Sequence, residues 1–255
     1  MSSFKVLQSF IAAVLLLGSL SVAKAGPSNK DAFERIEGGF VDIKEGAYID
    51  GSVGHKGIQP DYIMDLKSEP LQAIMKKSES IGALQIDEWD KIGMVLEVVR
   101  QDVFKYQHYY NPYYRRLLKK YRVAGEDIPL SEYVSCQAGV CREHAMVLHF
   151  ALKAAGVPNH FVYADVARVY NYYLYNEDHA FTVIRKNGVD WVVDAYNDLF
   201  NGYRLDELMS KNGISSEGER APFAVPSKDN RFIRKIHNFP VVYNPKGLSC
   251  RSVFQ

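Results

Sequence analysis

Residues 138–145 read AGVCREHA and run straight into MVLHFALKAAG. A cysteine at the first position of a helix meets N–H groups that have no intrahelical partner and carry partial positive charge. That setting favours the thiolate, the nucleophilic form of cysteine. The same N–H groups, that of Cys141 among them, can stabilise an oxyanion as it forms. Two further residues match this chemistry. His179 opens HAFTVIR (179–185), and Asp194 lies near the end of DWVVDAY (190–196), with the hairpin signal Lys186-Asn187-Gly188 between them. With the turn centred between Lys186 and Asn187, residues 179 and 194 are cross-strand neighbours, about 5 Å apart at Cβ. With the turn centred on Asn187-Gly188, Asp194 falls opposite Phe181, diagonal to His179 and on the same face. Either register lets the carboxylate reach the imidazole. The chemistry implied is nucleophilic thiol catalysis: Cys141 as nucleophile, His179 as proton acceptor and donor, Asp194 as the group that orients the ring.

The elements that must position these residues are legible from periodicity and punctuation. Residues 141–155 predict a helix stopped by Gly156-Val157-Pro158. Ile92, Val95, Leu96, Val99 and Val103 predict a helix over 87–106, capped by Asp87. Strands are expected at 160–166, 179–185 and 190–196, a short helix at 205–210, and loops with short strands at 26–60. Residues 61–80 read as short helices broken at Pro70, and 125–129 as a turn. Residues 106–122, YQHYYNPYYRRLLKKYR, read as an amphipathic helix with tyrosines at the core edge and a turn at Asn111-Pro112; a substrate-contacting lip is the sharper alternative. Residues 169–178 read as a tyrosine-rich loop in which Tyr170, Tyr172, Tyr173 and Tyr175 line a cleft for an extended peptide. There is no internal repeat and no sign of a second domain.

The segments GVCREHAMVLHFALKAAGVPNHFVYADV, DHAFTVI and WVVDAYN together resemble the transglutaminase-like core of bacterial proteins, over roughly residues 87–200. The shared features are GxC at a helix start, a small-residue helix ending in Gly-x-Pro, an H-A-aromatic strand, and W-x-x-D on the next. The resemblance implies an α+β, papain-like fold, a helix bundle packed on an antiparallel sheet, with a Cys141–His179–Asp194 triad. It admits thiol proteases, deamidases, amidases and protein crosslinkers. Crosslinking members carry Gln-Cys-Trp where this chain has Val140-Cys141-Arg142, which favours hydrolysis over glutamine crosslinking. Calcium-dependent members place acids beside the cysteine, so calcium is not expected. Gln137 is the nearest side chain for a second oxyanion donor, although its offset from Cys141 departs from the papain pattern.

The 255 residues are 47% hydrophobic and suffice for one sizeable core, and their 31 basic and 30 acidic side chains nearly cancel. No basic excess points to nucleic acid. Lys5, the apolar run 10–20 and Ala23-Lys24-Ala25 form a secretory signal, with cleavage expected after Ala25. Residues 26–255 then form a single domain, exported to the periplasm or beyond, with no membrane insertion after cleavage. Cleavage removes two lysines and no acid, which moves the net charge from +1 to −1. In an oxidising compartment Cys136 and Cys250 are available to pair if Cys141 is the free thiol. A zinc reading of Cys136, Cys141, His144 and His179 has spacing that fits no common structural site, and neither metal nor cofactor is expected. His144 lies three residues from Cys141 and reads either as support for it or as an ordinary helix residue. Asp178 and Asp198 adjoin the triad acids but sit before and beyond the facing positions. The expected partner is a protein or peptide substrate. A binding module on the same fold, without turnover, is the reading from another class.

Overall fold

The structure is a computed structural model that describes residues 34–35, 40–49, 60–170, 173–198, 202–210, 231–236 and 240–243. The chain divides into residues 1–30 and residues 31–255. The expected signal segment, Tyr172 and Cys250 lie outside the described residues.

The five strands of one sheet are β1 (Glu34–Arg35), β3 (Ala47–Ile49), β4 (Tyr62–Ile63), β5 (Ile128–Pro129) and β10 (Pro240–Tyr243), while β2 (Phe40–Val41) belongs to a second. The helices are α1 (Glu69–Gly82), α2 (Glu88–Glu97), α3 (Pro112–Ala124), α4 (Leu130–Ser135), α5 (Cys141–Ala154) and α6 (Leu205–Ser210). The second sheet is completed by β6 (Asn159–Tyr170), β7 (Tyr173–Lys186), β8 (Val189–Val193) and β9 (Arg231–Ile236). The fold is α+β.

Helix α5 is the axis. Every residue from Cys141 to Leu152 is buried, Arg142, Glu143, His144 and His149 included. A helix apolar on most sides needs cover on all of them. α1, α2 and the segment after it pack on one flank, β6 and β7 on the other. α1 comes close enough that a Cβ on Gly82 would lie 2.4 Å from the Ala155 carbonyl oxygen, so no side chain fits there. His149 shows how a polar group is accommodated in such a helix. His149 Nδ1–H donates to Asn159 Oδ1 at 2.7 Å, and its Nε2 accepts the Ile43 N–H at 3.1 Å.

Three expectations are corrected. Pro70 does not break a helix: it sits in the first turn of α1, where its missing N–H would have had no partner. The helix expected over 87–106 ends as α at Glu97 and continues as a π-helical turn, Val98–Val103, whose wider winding buries Val98, Val99 and Val103 together. The tyrosine-rich stretch 169–178 is not a loop: β6 runs to Tyr170 and β7 begins at Tyr173, paired along their whole length. Aromatic residues suit a pleated ladder, and tyrosine density alone does not separate strand from loop. β6 is joined on its other edge by β2 at residues 161–162 and by β9 at residues 164–168, with an irregularity between Asp165 and Val166.

Candidate active site

The β7–β8 ladder pairs Lys186 with Val189 and Thr182 with Val193. This is the second of the two registers, with Asn187 and Gly188 at the turn. Their φ angles of 54° and 76° are those of a type I′ turn. Continued one step, the ladder sets Asp194 opposite Phe181 and diagonal to His179. The diagonal closes: His179 Nε2–H donates to Asp194 Oδ2 at 2.6 Å. Nε2 is thereby committed, which leaves Nδ1 free of the carboxylate, and the ring interacts with the Cys141 sulfur. His179, Asp194 and Cys141 are all buried, Cys141 being 5% exposed.

Burial disfavours imidazolium, but the Asp194 carboxylate and the Cys141 sulfur outweigh it and raise the His179 pKa to about 10. Burial also opposes the charge on Asp194, yet His179 and the Asn197 amide hold its pKa below the ordinary carboxylate range. Asp194 is fully used. Its Oδ1 accepts the N–H groups of Tyr196 at 2.9 Å and Asn197 at 3.2 Å, and its Oδ2 accepts Asn197 Nδ2–H at 2.8 Å. Asn197 Nδ2 also stands 2.9 Å from His179 Nε2, but both nitrogens carry hydrogens aimed at the same carboxylate oxygen, so the close contact is shared geometry and not a third hydrogen bond.

The turn that follows is tied down at two points. Tyr196 Oη donates to the Gln107 carbonyl at 2.9 Å, and Asp198, at a φ of 60°, pairs with Arg100 Nη1 at 2.7 Å. Asp198 therefore lies beyond the facing position, on an anchor of its own. Asp178 pairs in register with Asp165 and interacts with the Tyr163 hydroxyl.

The Cys141 side is built from below. Val140 is the residue before the helix, and its N–H is taken by Glu143 Oε2 at 2.7 Å. Glu143 Oε1 accepts Tyr62 Oη–H at 2.6 Å and Tyr114 Oη–H at 3.3 Å. Burial pushes the Glu143 carboxyl above its ordinary range, opposed by these donors. Gly139 has no space for a side chain: a Cβ would lie 2.8 Å from the Phe104 ring and 2.9 Å from Glu143 Cβ. Phe104 stacks on His144 with ring centres 4.4 Å apart, and Tyr196 meets the same imidazole edge-on at 5.3 Å. His144 Nδ1–H donates to the Val140 carbonyl at 2.8 Å; its Nε2 is buried without a partner among the described residues. Burial lowers its pKa to about 4, so it is neutral at ordinary pH. Arg142 is buried, with Nη2 donating to Tyr163 Oη at 2.9 Å and its guanidinium 4.6 Å over the same ring. The two residues flanking Cys141 are thus packed inward.

Gln137 adopts a left-handed conformation, φ 53°, and its carbonyl accepts the N–H groups of Lys105 and Tyr106 at 3.0 Å. The cavity it lines, with Pro70, Lys77 and Val103, contains none of the triad. A larger cavity of about 800 Å³ between α1 and α2 also lies apart from it. Cys136 carries a free thiol that donates to the Tyr133 carbonyl at 3.4 Å. Tyr170, Tyr173 and Tyr175 occupy strand positions near the β6–β7 turn.

Glu143, Tyr62, Phe104 and Arg100 have no sequence signal that gives them a role, and Tyr196 and Asn197, although inside WVVDAYN, receive none from it. Only Asn197 and Tyr196 could have been suspected, because an Asp followed by polar residues at a strand end tends to bind its own downstream N–H groups.

No family model matches the chain, and no curated protein matches it. Among solved structures it is similar to a candidate cysteine protease from Cytophaga hutchinsonii, 13% identical over 68% of this chain and 58% of that one, with a TM-score of 0.36. It is similar to a transglutaminase, 15% identical over 65% of this chain and 42% of that one, TM-score 0.36. It is also similar to arylamine N-acetyltransferase C from Bacillus anthracis, 16% identical over 51% of this chain and 49% of that one, TM-score 0.25. In each case the match spans less than two thirds of the solved chain.

Proposed function

We propose that this chain is an exported thiol enzyme that cleaves an amide or isopeptide bond of a protein or peptide through a thioester on Cys141, with water as the usual acyl acceptor. The single observation that carries the reading is the His179 ring, held by Asp194 through Nε2 and neighbouring the Cys141 thiol. A structural buried histidine needs one good partner; this one is kept protonated between an acid and a sulfur.

The reaction follows from that geometry. The Cys141 sulfur attacks the amide carbon, and the oxyanion forms near the N-terminus of α5, where the Cys141 N–H is one of the helix's unpaired donors. The Nδ1 proton of His179 passes to the leaving nitrogen as the C–N bond breaks, giving a thioester and a free amine. Neutral His179 next takes a proton from water; hydroxide attacks the thioester, the C–S bond breaks, the carboxylic acid leaves, and the starting pair of Cys141 sulfur and protonated His179 is restored. Asp194 keeps the ring from turning throughout. An amine in place of water would give transfer. The Val140 and Arg142 side chains, turned inward, leave the flanks of the sulfur without the Gln and Trp that mark crosslinkers in the family it resembles.

The test is to incubate the protein with a tryptic peptide pool in H₂¹⁸O, with and without a fluorescent primary amine, and to analyse peptides and protein by mass spectrometry. The expected outcome is an acyl adduct confined to Cys141 and ¹⁸O in the new carboxylates, with neither in the Cys141→Ala protein. Turnover that survives Cys141→Ala would sink the reading. Amine incorporation in preference to ¹⁸O would replace hydrolysis with transfer.

A further inference from the structure

The segment between the π-helical turn and the end of α3 is one wall of the site and carries a charge that the reaction does not use. Phe104 stacks on His144, Gln107 accepts the Tyr196 hydroxyl, and Tyr109, 37% exposed, meets edge-on at 5.9 Å the Tyr114 ring whose hydroxyl reaches Glu143 in the first turn of α5. From this wall the chain leads through Tyr110, 86% exposed, into α3. Between Lys105 and Ala124 there are six Lys and Arg residues and no Asp or Glu, in a chain whose charges otherwise nearly cancel.

α3 buries Tyr114, Leu117, Leu118 and Tyr121 and leaves Arg115, Arg116, Lys119, Lys120 and Arg122 in solvent. Arg115 with Lys119, and Arg116 with Lys120, are like charges one turn apart, an arrangement that costs helix stability. Lys120 has one acid, Glu132 at 3.5 Å; Arg115, Arg116, Lys119 and Arg122 have none among the described residues. Tyr113 stacks on Tyr106 at 4.7 Å and lies under the Arg116 guanidinium at 6.0 Å, so the cations sit beside aromatic rings that can pack a backbone.

We propose that the exposed face of α3 is a docking surface for an acidic stretch of the polypeptide substrate, which then passes over Tyr110 and Tyr109 to present its scissile amide to Cys141. The proposal rests on the thiol-enzyme reading for the nature of the partner: a wall that ends at an amide-cleaving sulfur is approached by a polypeptide. Complementary charge would serve encounter and register more than tight binding, so the contact is sensitive to salt.

The experiment has two readouts. Fluorescence anisotropy follows a labelled peptide of ten glutamates and two tyrosines binding to Cys141→Ala protein, a measurement indifferent to catalysis. The rate of iodoacetamide alkylation of Cys141 in the unsubstituted protein, with and without that peptide, reports whether the bound peptide reaches the sulfur. Expected are binding at 50 mM NaCl that weakens at least about tenfold at 500 mM, loss of binding in Arg115→Glu/Lys119→Glu, and slower alkylation only when peptide binds. The milder Arg115→Gln/Lys119→Gln should fall between, which keeps the test valid if charge reversal disturbs the helix. Unchanged binding in both variants overturns the proposal, as does binding with no slowing of alkylation. Tighter binding of phosphatidylglycerol vesicles or of a single-stranded oligonucleotide, at equal charge, overturns it in favour of a membrane or nucleic-acid surface. A protein that binds the peptide but forms no acyl adduct loses the enzyme reading and keeps the docking face.

Discussion

His179 is the residue on which the site turns, because it stands between two groups that both stabilise its cation. Asp194→Asn removes one of them and lets the ring rotate. The His179 pKa is expected to fall from about 10 toward the ordinary histidine value near 6.5, read from the pH dependence of its ring resonances by NMR. Turnover should drop by about 10²- to 10⁴-fold, the usual worth of positioned acid–base catalysis. A titration still centred near 10 in that variant would mean that Asp194 is not the cause. On the Cys141 side, Gly139→Ala places a Cβ against Phe104 and Glu143 in a packed interior. Overpacking of this kind costs roughly 1–3 kcal/mol, so the urea midpoint should shift down with an unchanged slope, and Cys141 alkylation kinetics should change with it. An unshifted midpoint would show that the backbone before Cys141 can give way.

At the scale of elements, the turn after β8 is fixed from outside its own strand. Arg100, on the π-helical turn, holds Asp198 in a conformation that side chains seldom adopt. The pair is partly exposed and worth little to stability, of order 1 kcal/mol or less. Arg100→Ala is therefore expected to lower kcat several-fold while leaving the thermal midpoint within a degree or two; the reverse pattern would make the pair a plain stabilising contact. None of this could be read from the chain, because the periodicity of 87–106 fits a continuous α-helix equally well and the one-residue expansion of a π turn leaves no compositional trace. The β7–β8 hairpin was legible to within two registers, because Lys186-Asn187-Gly188 names its turn, and only the φ angles of Asn187 and Gly188 choose between them. The β6–β7 turn was not legible, since Tyr170 and Tyr173 serve a strand as readily as a loop. Nor was the support of α5: nothing in the sequence pairs Glu143 with Tyr62 and Tyr114, 81 and 29 residues away, whose hydroxyls reach its buried carboxylate.

For the whole molecule, two histidines set opposite limbs of the pH–stability profile. His179 has a folded pKa, about 10, above its unfolded value. Its contribution is complete below about 6.5 and is lost as the pH rises toward 10. His144 has a folded pKa of about 4, below its unfolded value. Its contribution is complete above about 6.5 and is lost as the pH falls toward 4, where the unfolded chain takes up a proton that the buried ring refuses. Asp194 adds to the acid limb. The thermal midpoint is expected to peak near neutrality. His179→Gln should flatten the alkaline limb and, by releasing Asp194, part of the acid limb, while His144→Phe should flatten the acid limb alone. An alkaline limb that survives His179→Gln, or an acid limb unchanged in His144→Phe, would place the titrating groups elsewhere.

The sheet that contains Tyr62 has a consequence for when the surroundings of Cys141 assemble. Its strand order is β1-β10-β3-β4-β5, and β10, residues 240–243, is wedged between two strands from the first fifth of the chain. Contacts of such long sequence separation close late, because the loop entropy is spent before they return anything. A chain made from its N-terminus carries Cys141 well before it carries the strand that completes the sheet behind Glu143. On the proposed reading, a chain that has emerged past Cys141 but not yet past Tyr243 holds its thiol before the surroundings of Glu143 can be complete.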